Sequence, residues 1–482
     1  MITFFVAFGI LVFGYFLYAK FVENVFVINP NAATPVSSKS DGVDFVPISD
    51  RKATLIQFIS IAGTGPIFGA VQGALWGPAA FFWIVLGCVF AGATHDYMSG
   101  MLSLRQNGAT LGELIGTHLG PIVKNLCRLF SILLLVMVGA VFTMSPADIL
   151  LSITPGQAYG TPIIPRGVWM AIIMGYFAIA TIIPIHKLIA KVYPVFGAGM
   201  ILLGVGLVVA LFASGDFIRI PEFQFNNPHP RGAIMFPALF ITIACGAISG
   251  FHATQSPLMA RCIRSEKGGR NVFYRAMIFE GFIALIWAAV AMTFFWNPET
   301  REGYTGLMTA GPPAVIVSTI SFGYFGLIGG VIAIICVGIF PISTGDTAMR
   351  ASRLAIADAL KMDQGPIINR FKITIPLFAV VVALLFVDFS ILWRYFAWLN
   401  QTLAVFTLWA GATYLAKNKK LHWICTIPAM FMTFLTNSFI LNAPIGFRLP
   451  HHIALPVAGV ITLVFTIIFA KTCLFTNKET LS

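Results

Sequence analysis

Three constellations in this sequence hold residues whose types and spacing suit chemistry. His95 and Asp96 stand side by side inside an apolar run that ends at Arg105. An imidazole beside a carboxylate can relay a proton or change charge near neutral pH. Ionisable groups inside an apolar span are costly, so they read as functional by default. Successive residues of a helix point about 100° apart, so the two can serve different partners. A hydrogen-bonded pair that fixes two helices is the plainer use. The second constellation is Ser249, Gly250, His252, Thr254, Gln255 and Ser256, the densest polar cluster in any apolar run. It suits a small carboxylate or a peptide backbone, against the alternative of a satisfied core histidine. The third is Ser343, Thr344 and Asp346, hard oxygen donors of the kind a cation takes. Asp346 can instead N-cap the amphipathic stretch 347–360, and Arg350 can neutralise it. Gly63, Thr64 and Gly65 form a small-residue interruption in another run, while Asn400 and Gln401 offer amides whose ordinary use is interhelical bonding. Glu280 can carry a proton or pair with Arg275, and Glu113 can cap a helix or pair with Arg105. The expected substrate-binding set is therefore Gly63, Thr64, Gly65, Ser249, Gly250, His252, Thr254, Gln255 and Gln401. The expected coupling set is His95, Asp96, Ser343, Thr344 and Asp346.

These residues need elements to hold them, and the composition says which. Hydrophobic residues make up 58% of the 482 positions and charged residues 10%, where soluble domains average about 25% charged. A helix needs about 20 apolar residues to cross a bilayer. Such runs lie near 2–19, 54–76, 78–104, 122–144, 167–185, 192–214, 233–257, 272–296, 324–345, 371–388, 391–416, 421–441 and 452–474, an expectation of about thirteen transmembrane helices. Residues 312–322 are apolar but short and predict a loop helix. The first run has no basic residue before it and no small-residue cleavage site after it, so it reads as a retained helix. The seven cysteines show no CxxC or metal-type spacing and read as buried free thiols.

Charge placement tests the count. With the N-terminus outside and the spans alternating, the inner loops hold 24 of the 30 Lys and Arg, and the outer loops keep Arg166, Arg219, Arg231, Arg301, Arg394 and Arg448. A miscounted span would scramble that alternation, so the bias supports an outside N-terminus and a cytoplasmic C-terminus. The formal charge of +12 follows from topology and not from nucleic-acid binding.

The second and seventh runs are each broken at mid-span. One reads Gly63-Thr64-Gly65-Pro66, the other Gly246 through Gly250 to Pro257. Unpaired backbone is tolerated at membrane depth only where it lines a protein cavity. Close packing through small residues explains one such segment. Two of them, each opening a set of five spans, predict an inverted pair of five-helix repeats with a midplane site between them, the LeuT-like plan. The expected layout is an extra helix and loop over 1–53, one repeat over 54–214, the second over 215–416, and two extra helices over 417–482.

At these residues the chain resembles the carbon starvation protein A family. The pattern is Ile61-Ala62-Gly63-Thr64-Gly65-Pro66 with Trp76-Gly77, then Gly92 to Tyr97, Ser103 to Arg105 with Gly108 and Glu113, Phe251-His252, Thr344 to Arg350, and Trp393 to Ala404. The resemblance implies bacterial inner-membrane carriers of the amino acid–polyamine–organocation type, taking up peptides or pyruvate with protons under nutrient limitation. Two features depart from it: the chain stops soon after the last run, and Gly69 is followed by Ala70 where the family carries Gly-Pro.

No Walker A pattern, zinc-type His/Cys spacing or nucleophile elbow is present, so the reading implies no cofactor, no metal and no enzyme. It implies a secondary active transporter, importing peptides with protons, with pyruvate symport as the alternative and sodium as the second coupling ion. A channel would need a continuous polar lining, and a membrane sensor would need a signalling domain.

Overall fold

Every regular element among the described residues is helical. The structure, a computed structural model, describes residues 1–40, 45–157, 160–182, 185–296 and 303–475, with side chains for all of these except 185–194 and 303. Arg301 and Lys478, two of the charges used above, lie outside them. In chain order the helices are α1 (Ile2–Phe26), α2 (Asp50–Ala62), α3 (Gly65–Trp76), α4 (Ala79–Arg105), α5 (Leu111–Leu119), α6 (Pro121–Ser152), α7 (Arg166–Ile182), α8 (Ile185–Ala213), α9 (Met235–Thr242), α10 (His252–Ala260), α11 (Arg275–Phe294), α12 (Pro313–Leu360), α13 (Ile367–Leu384), α14 (Phe389–Lys417), α15 (Trp423–Asn442) and α16 (His451–Leu474).

Among the described residues, nine helices are long and apolar enough to cross a membrane, and α2 with α3 makes a tenth, bent by 51°. The other expected runs are helical too, but α7 has 17 residues, α9 and α10 are two short pieces, and α14 carries more polar residues. The 48-residue α12 is two helices joined across a kink. Gly326 sits between them at φ 65° and ψ −165°, a conformation that a Cβ forbids. It separates the expected loop helix, which begins at Pro313, from the span after it. That span continues through Asp346 to Leu360, so Asp346 lies inside a helix and is not an N-cap. Of the cysteines, Cys336 and Cys473 are half-buried and the other five are buried, all as free thiols.

The helices sort into two packed groups. The halves α2 and α3 pack with α4, α10 and α11, while α6 packs along α12 and both meet α7. Helix α8 touches both groups, α14 bridges them through α4 and α6, and α15 and α16 add on outside. Loops that the alternation puts on one side do touch. Arg105 grips Glu266 through two bonds of 2.8 Å and also reaches the Val27 carbonyl and the Tyr414 hydroxyl, and Lys420 donates to the Phe26 carbonyl. At the opposite end Trp76 donates to the Ala233 carbonyl at 3.1 Å.

Glu222, between α8 and α9, closes the start of α1 at that same end. Its carboxylate accepts the Ile2 N–H at 2.6 Å, the Thr3 N–H at 2.9 Å, the Thr3 hydroxyl at 2.6 Å and the Met1 ammonium at 2.6 Å. These are the orphan donors of a helix N-terminus. The ammonium first, then the Thr3 hydroxyl, hold the Glu222 carboxyl down at about 2. A depressed carboxylate contributes stability above its unfolded value and loses it as pH falls through the folded one. Glu222→Gln is therefore expected to melt lower than wild type at neutral pH in detergent, with the gap narrowing as pH drops toward about 2. A gap that stays constant with pH would remove the carboxylate charge from the explanation.

Candidate functional site

The two broken helices meet. Between α2 and α3, Gly63 adopts φ 46° and ψ −152°, and a Cβ there would stand 2.7 Å from the Phe142 ring of α6. Pro66 opens α3 at a position where its fixed φ suits a helix start and no N–H is needed. A Cβ on Gly65 would lie 2.3 Å from Cys245 Sγ, and one on Gly69 would lie 2.8 Å from the Thr242 carbonyl oxygen. Cys245 and Thr242 flank the opening of the second break, residues 243–251, between α9 and α10. The glycines thus let the first turns of α3 approach the end of α9 and the opening of the second break.

The first break is walled by α6 and α12. The Thr64 hydroxyl lies 3.4 Å from that of Ser145, and Thr344 donates to the Ile59 carbonyl at 2.9 Å. The Ser343 hydroxyl donates to the Phe340 carbonyl at 2.8 Å. Asp346 faces away from this pair, toward the Tyr176 hydroxyl at 3.4 Å. Arg350 donates to the Ala180 carbonyl at 2.5 Å.

The second break is held from outside. Asn400 Oδ1 accepts the Phe251 N–H at 2.8 Å and the Ser249 hydroxyl at 3.0 Å, its carbonyl accepts the Gly250 N–H at 2.9 Å, and its Nδ2 reaches Cys245 Sγ at 3.3 Å. Trp83 Nε1 donates to the Ile243 carbonyl at 2.9 Å and to that of Phe240 at 3.1 Å, and Gln401 Nε2 donates to the same Phe240 oxygen at 2.7 Å. Carbonyls that lose helical partners at membrane depth must find others, and here side chains supply them. Ser249, Gly250 and Gln401 therefore support the break, a job that stands beside the ligand role expected of them. The Thr254 hydroxyl donates back to Phe251 at 2.7 Å, and Thr254 lines a separate cavity with Arg128, Arg261 and Asp358. Gln57 donates to Ser256 at 3.2 Å across α2 and α10. Among the described residues the buried Oε1 atoms of Gln57, Gln255 and Gln401 accept no hydrogen bond, so these amides keep capacity for water or solute.

His252 belongs with the acids. Asp96 Oδ1 lies 2.8 Å from His95 Nδ1 and Asp96 Oδ2 lies 2.9 Å from His252 Nδ1. His95 and Asp96 do touch, so the divergence of neighbours around a helix did not keep them apart. His252 Nε2 lies 3.3 Å from Glu280 Oε2 on α11. All four side chains have no solvent exposure. Arg275 instead donates to Thr54 at 3.0 Å, and Glu113 completes the capping box of α5. Sequence reasoning left Glu280 and Asn400 out of the site. Glu280 was readable as an acid inside a span, but Arg275 stood nearer in sequence. Nothing in the sequence marks Trp83.

Over residues 1–165 and 163–299 the sequence matches the family described as Carbon starvation protein CstA. The chain belongs to that family. An uncharacterized membrane protein of Haemophilus influenzae is 42% identical over 346 residues, 63% of this chain and 93% of that protein. The pyruvate/proton symporter BtsT of Escherichia coli is 28% identical over 57% of this chain and 46% of its own length. The peptide transporter CstA of Campylobacter jejuni is 27% identical over 87% of this chain and 76% of its own. This chain thus spans about half the length of BtsT and about three quarters of the Campylobacter protein. Among solved structures, MhsT in complex with L-phenylalanine shares the fold, with a TM-score of 0.60 at 13% identity over 88% of this chain and 99% of its own.

Proposed function

We propose that this chain is a secondary active transporter that imports short peptides across the bacterial inner membrane under nutrient limitation, driven by protons. The observation that carries the reading is the contact of two broken helices beside a solvent-free cluster of two imidazoles and two carboxylates. Broken helices put polar backbone where a solute can be gripped at the midplane, and titratable groups at that depth are the ordinary parts of proton relays. The two packed groups of helices are the bodies whose rocking would open the site to one side and then the other. Inverted repeats over 54–214 and 215–416, with the N-terminus outside and the C-terminus in the cytoplasm, fit that motion. Gly63, Thr64 and Gly65 stay in the proposed solute site with Gln255, while His95 and Asp96 belong to the cluster that couples the proton. Sodium held by Ser343 and Thr344 is the second coupling reading; their hydrogens go to carbonyls and their oxygen lone pairs stay available. A second solute reading, pyruvate, is favoured by the likeness to BtsT.

Uptake into proteoliposomes tests this. Labelled di- and tripeptides and labelled pyruvate are compared, each under an imposed proton gradient and then a sodium gradient. The expected result is saturable accumulation of one solute class with the proton gradient alone. Accumulation that follows only sodium, or a flux that never saturates, would sink the reading. Asp96→Asn is expected to cut proton-driven accumulation by about tenfold or more, because both imidazoles lose the carboxylate that accepts from their Nδ1. An unchanged pH dependence would take Asp96 out of the coupling.

A further inference from the structure

We propose that Glu280, acting through His252, is the group that takes and releases the coupling proton, and that His252 passes its charge state to the second break. The inference rests on the proton-coupled reading above and assigns the coupling to a residue that the expected set omitted.

The argument begins with the hydrogen bonds. Both oxygens of Asp96 face an imidazole Nδ1, at 2.8 Å from His95 and 2.9 Å from His252. If each Nδ1 carries its hydrogen, Asp96 stays a carboxylate and each ring keeps Nε2 as the nitrogen that can gain a proton. Nε2 of His252 faces Glu280 Oε2 at 3.3 Å. That pair is close enough for a proton to pass after a small approach, and neither Glu280 oxygen has a hydrogen-bond partner among the described residues. Transfer is balanced within the pair. A Glu280 carboxylic acid gives its hydrogen to His252 Nε2, leaving Glu280 a carboxylate and His252 an imidazolium between two carboxylates. Release of the Nε2 hydrogen to water returns His252 to the neutral ring.

Charge counting gives this pair its role. Two carboxylates and two neutral imidazoles sum to minus two. One extra proton leaves the cluster at minus one, and two extra protons make it neutral. Net charge at this depth is unfavourable, so gain and loss of the proton at the Glu280–His252 pair move the cluster between minus one and the costlier minus two. The neighbours do not blur the count. Cys88 donates its thiol to the Met277 carbonyl at 3.3 Å, and Cys245 is held by Asn400. Phe58 of α2 meets Phe279, and Leu11 of α1 packs at Gly281. No Lys or Arg among the described residues forms an ion pair with Asp96 or Glu280.

Position links the proton to movement. His252 is the first residue of α10, directly after the break, and Phe251 before it is pinned by Asn400. Asp96 stands on α4 and Glu280 on α11. Protonation of the Glu280–His252 pair therefore changes the attraction among three helices at the point where the half-helix α10 begins. A histidine that merely bound solute would not need a carboxylate on each side.

The test reads the titration and the transport separately. Infrared difference spectra of purified protein, taken between acid and alkaline buffer, report the C=O stretch of a protonated buried carboxyl. The wild type is expected to show a titrating band that Glu280→Gln removes and Glu280→Asp retains at a shifted position. In proteoliposomes Glu280→Gln is expected to lose the acceleration by a proton gradient by about tenfold or more, and whatever downhill uptake remains is flat with pH. His252→Gln is expected to flatten the pH profile as well, whereas a purely solute-binding role would raise KM at every pH. A band that survives in Glu280→Gln, or a pH profile that keeps its wild-type shape there, overturns the proposal. A wild type that shows the band yet moves no proton with either solute sinks the transport reading and leaves Glu280 as the titrating group.

Discussion

Gly65→Ala is expected to abolish uptake, and Cys245→Gly in the same chain is expected to restore most of it. This is the sharpest test of contact between the broken helices. The added methyl of Gly65→Ala would stand 2.3 Å from Cys245 Sγ and 2.5 Å from Cys245 Cβ. Cys245 cannot simply swing aside, because Asn400 Nδ2 donates to its sulfur at 3.3 Å and both residues are buried. Overpacking of a close-packed site costs about 1–3 kcal/mol. Displacement of the reacting geometry by about an ångström can lower turnover by about a hundredfold, so activity is expected to fall further than stability. Both obstructing atoms belong to the cysteine side chain, and Cys245→Gly removes them at a cost of about 0.5–1 kcal/mol in backbone freedom. Uptake assays on the two single variants and the double variant form a cycle whose coupling term should be large and favourable. Gly65→Ala with wild-type uptake, or a double variant that is the plain sum of its parts, would mean the two breaks are not packed as described.

The apolar runs were legible because burial in lipid demands length, and length is written in composition. The breaks were legible for a related reason. Gly63-Thr64-Gly65-Pro66 cannot continue a regular helix, and two such stretches five spans apart ask for a common explanation. The part of α12 from the Gly326 break to Leu360 was not legible as one helix, because Pro341 and the polar residues after it suggested an ending at Asp346. Packing against α6 and α7 carries the helix through, which is tertiary context overriding a local signal.

The site was only partly legible, and the reason is instructive. Reading along the chain, His95 and Asp96 belong to one cluster and His252 to another, with Glu280 nearest to Arg275. In space the break before His252 turns α10 against α4, and the four titratable side chains become one unit. Residue type marked each member as costly in a membrane, but no spacing rule joins positions on three helices. A second task of Ser249, Gly250 and Gln401 was also hidden from the sequence. Polar groups near a break look like ligands, yet the break itself has donors and acceptors to satisfy, and these residues take part in satisfying them with Asn400 and Trp83.

That support can be removed at two atoms, and the second prediction does so. Gly250→Ala is expected to yield little folded protein, with no rescue by trimming a neighbouring side chain. Its methyl would meet the Ala404 nitrogen and the Asn400 oxygen at 2.3 Å each, both of them backbone of the buried α14. A helix cannot retreat by an ångström without losing its own packing. Asn400→Ala reaches the same structure from the other side. It leaves the Phe251 N–H and the Ser249 hydroxyl without their acceptor, and each buried orphan costs about 1–3 kcal/mol. A loss of about 2–5 kcal/mol is therefore expected in denaturant or thermal melts of purified protein. Asn400→Asp keeps the acceptor and gives up only the bond to Cys245, so it should recover part of that stability, less the cost of any charge it carries. Equal melting of Asn400→Ala and wild type would show that the second break holds its shape without α14, and the close approach at Gly250 would then need another cause.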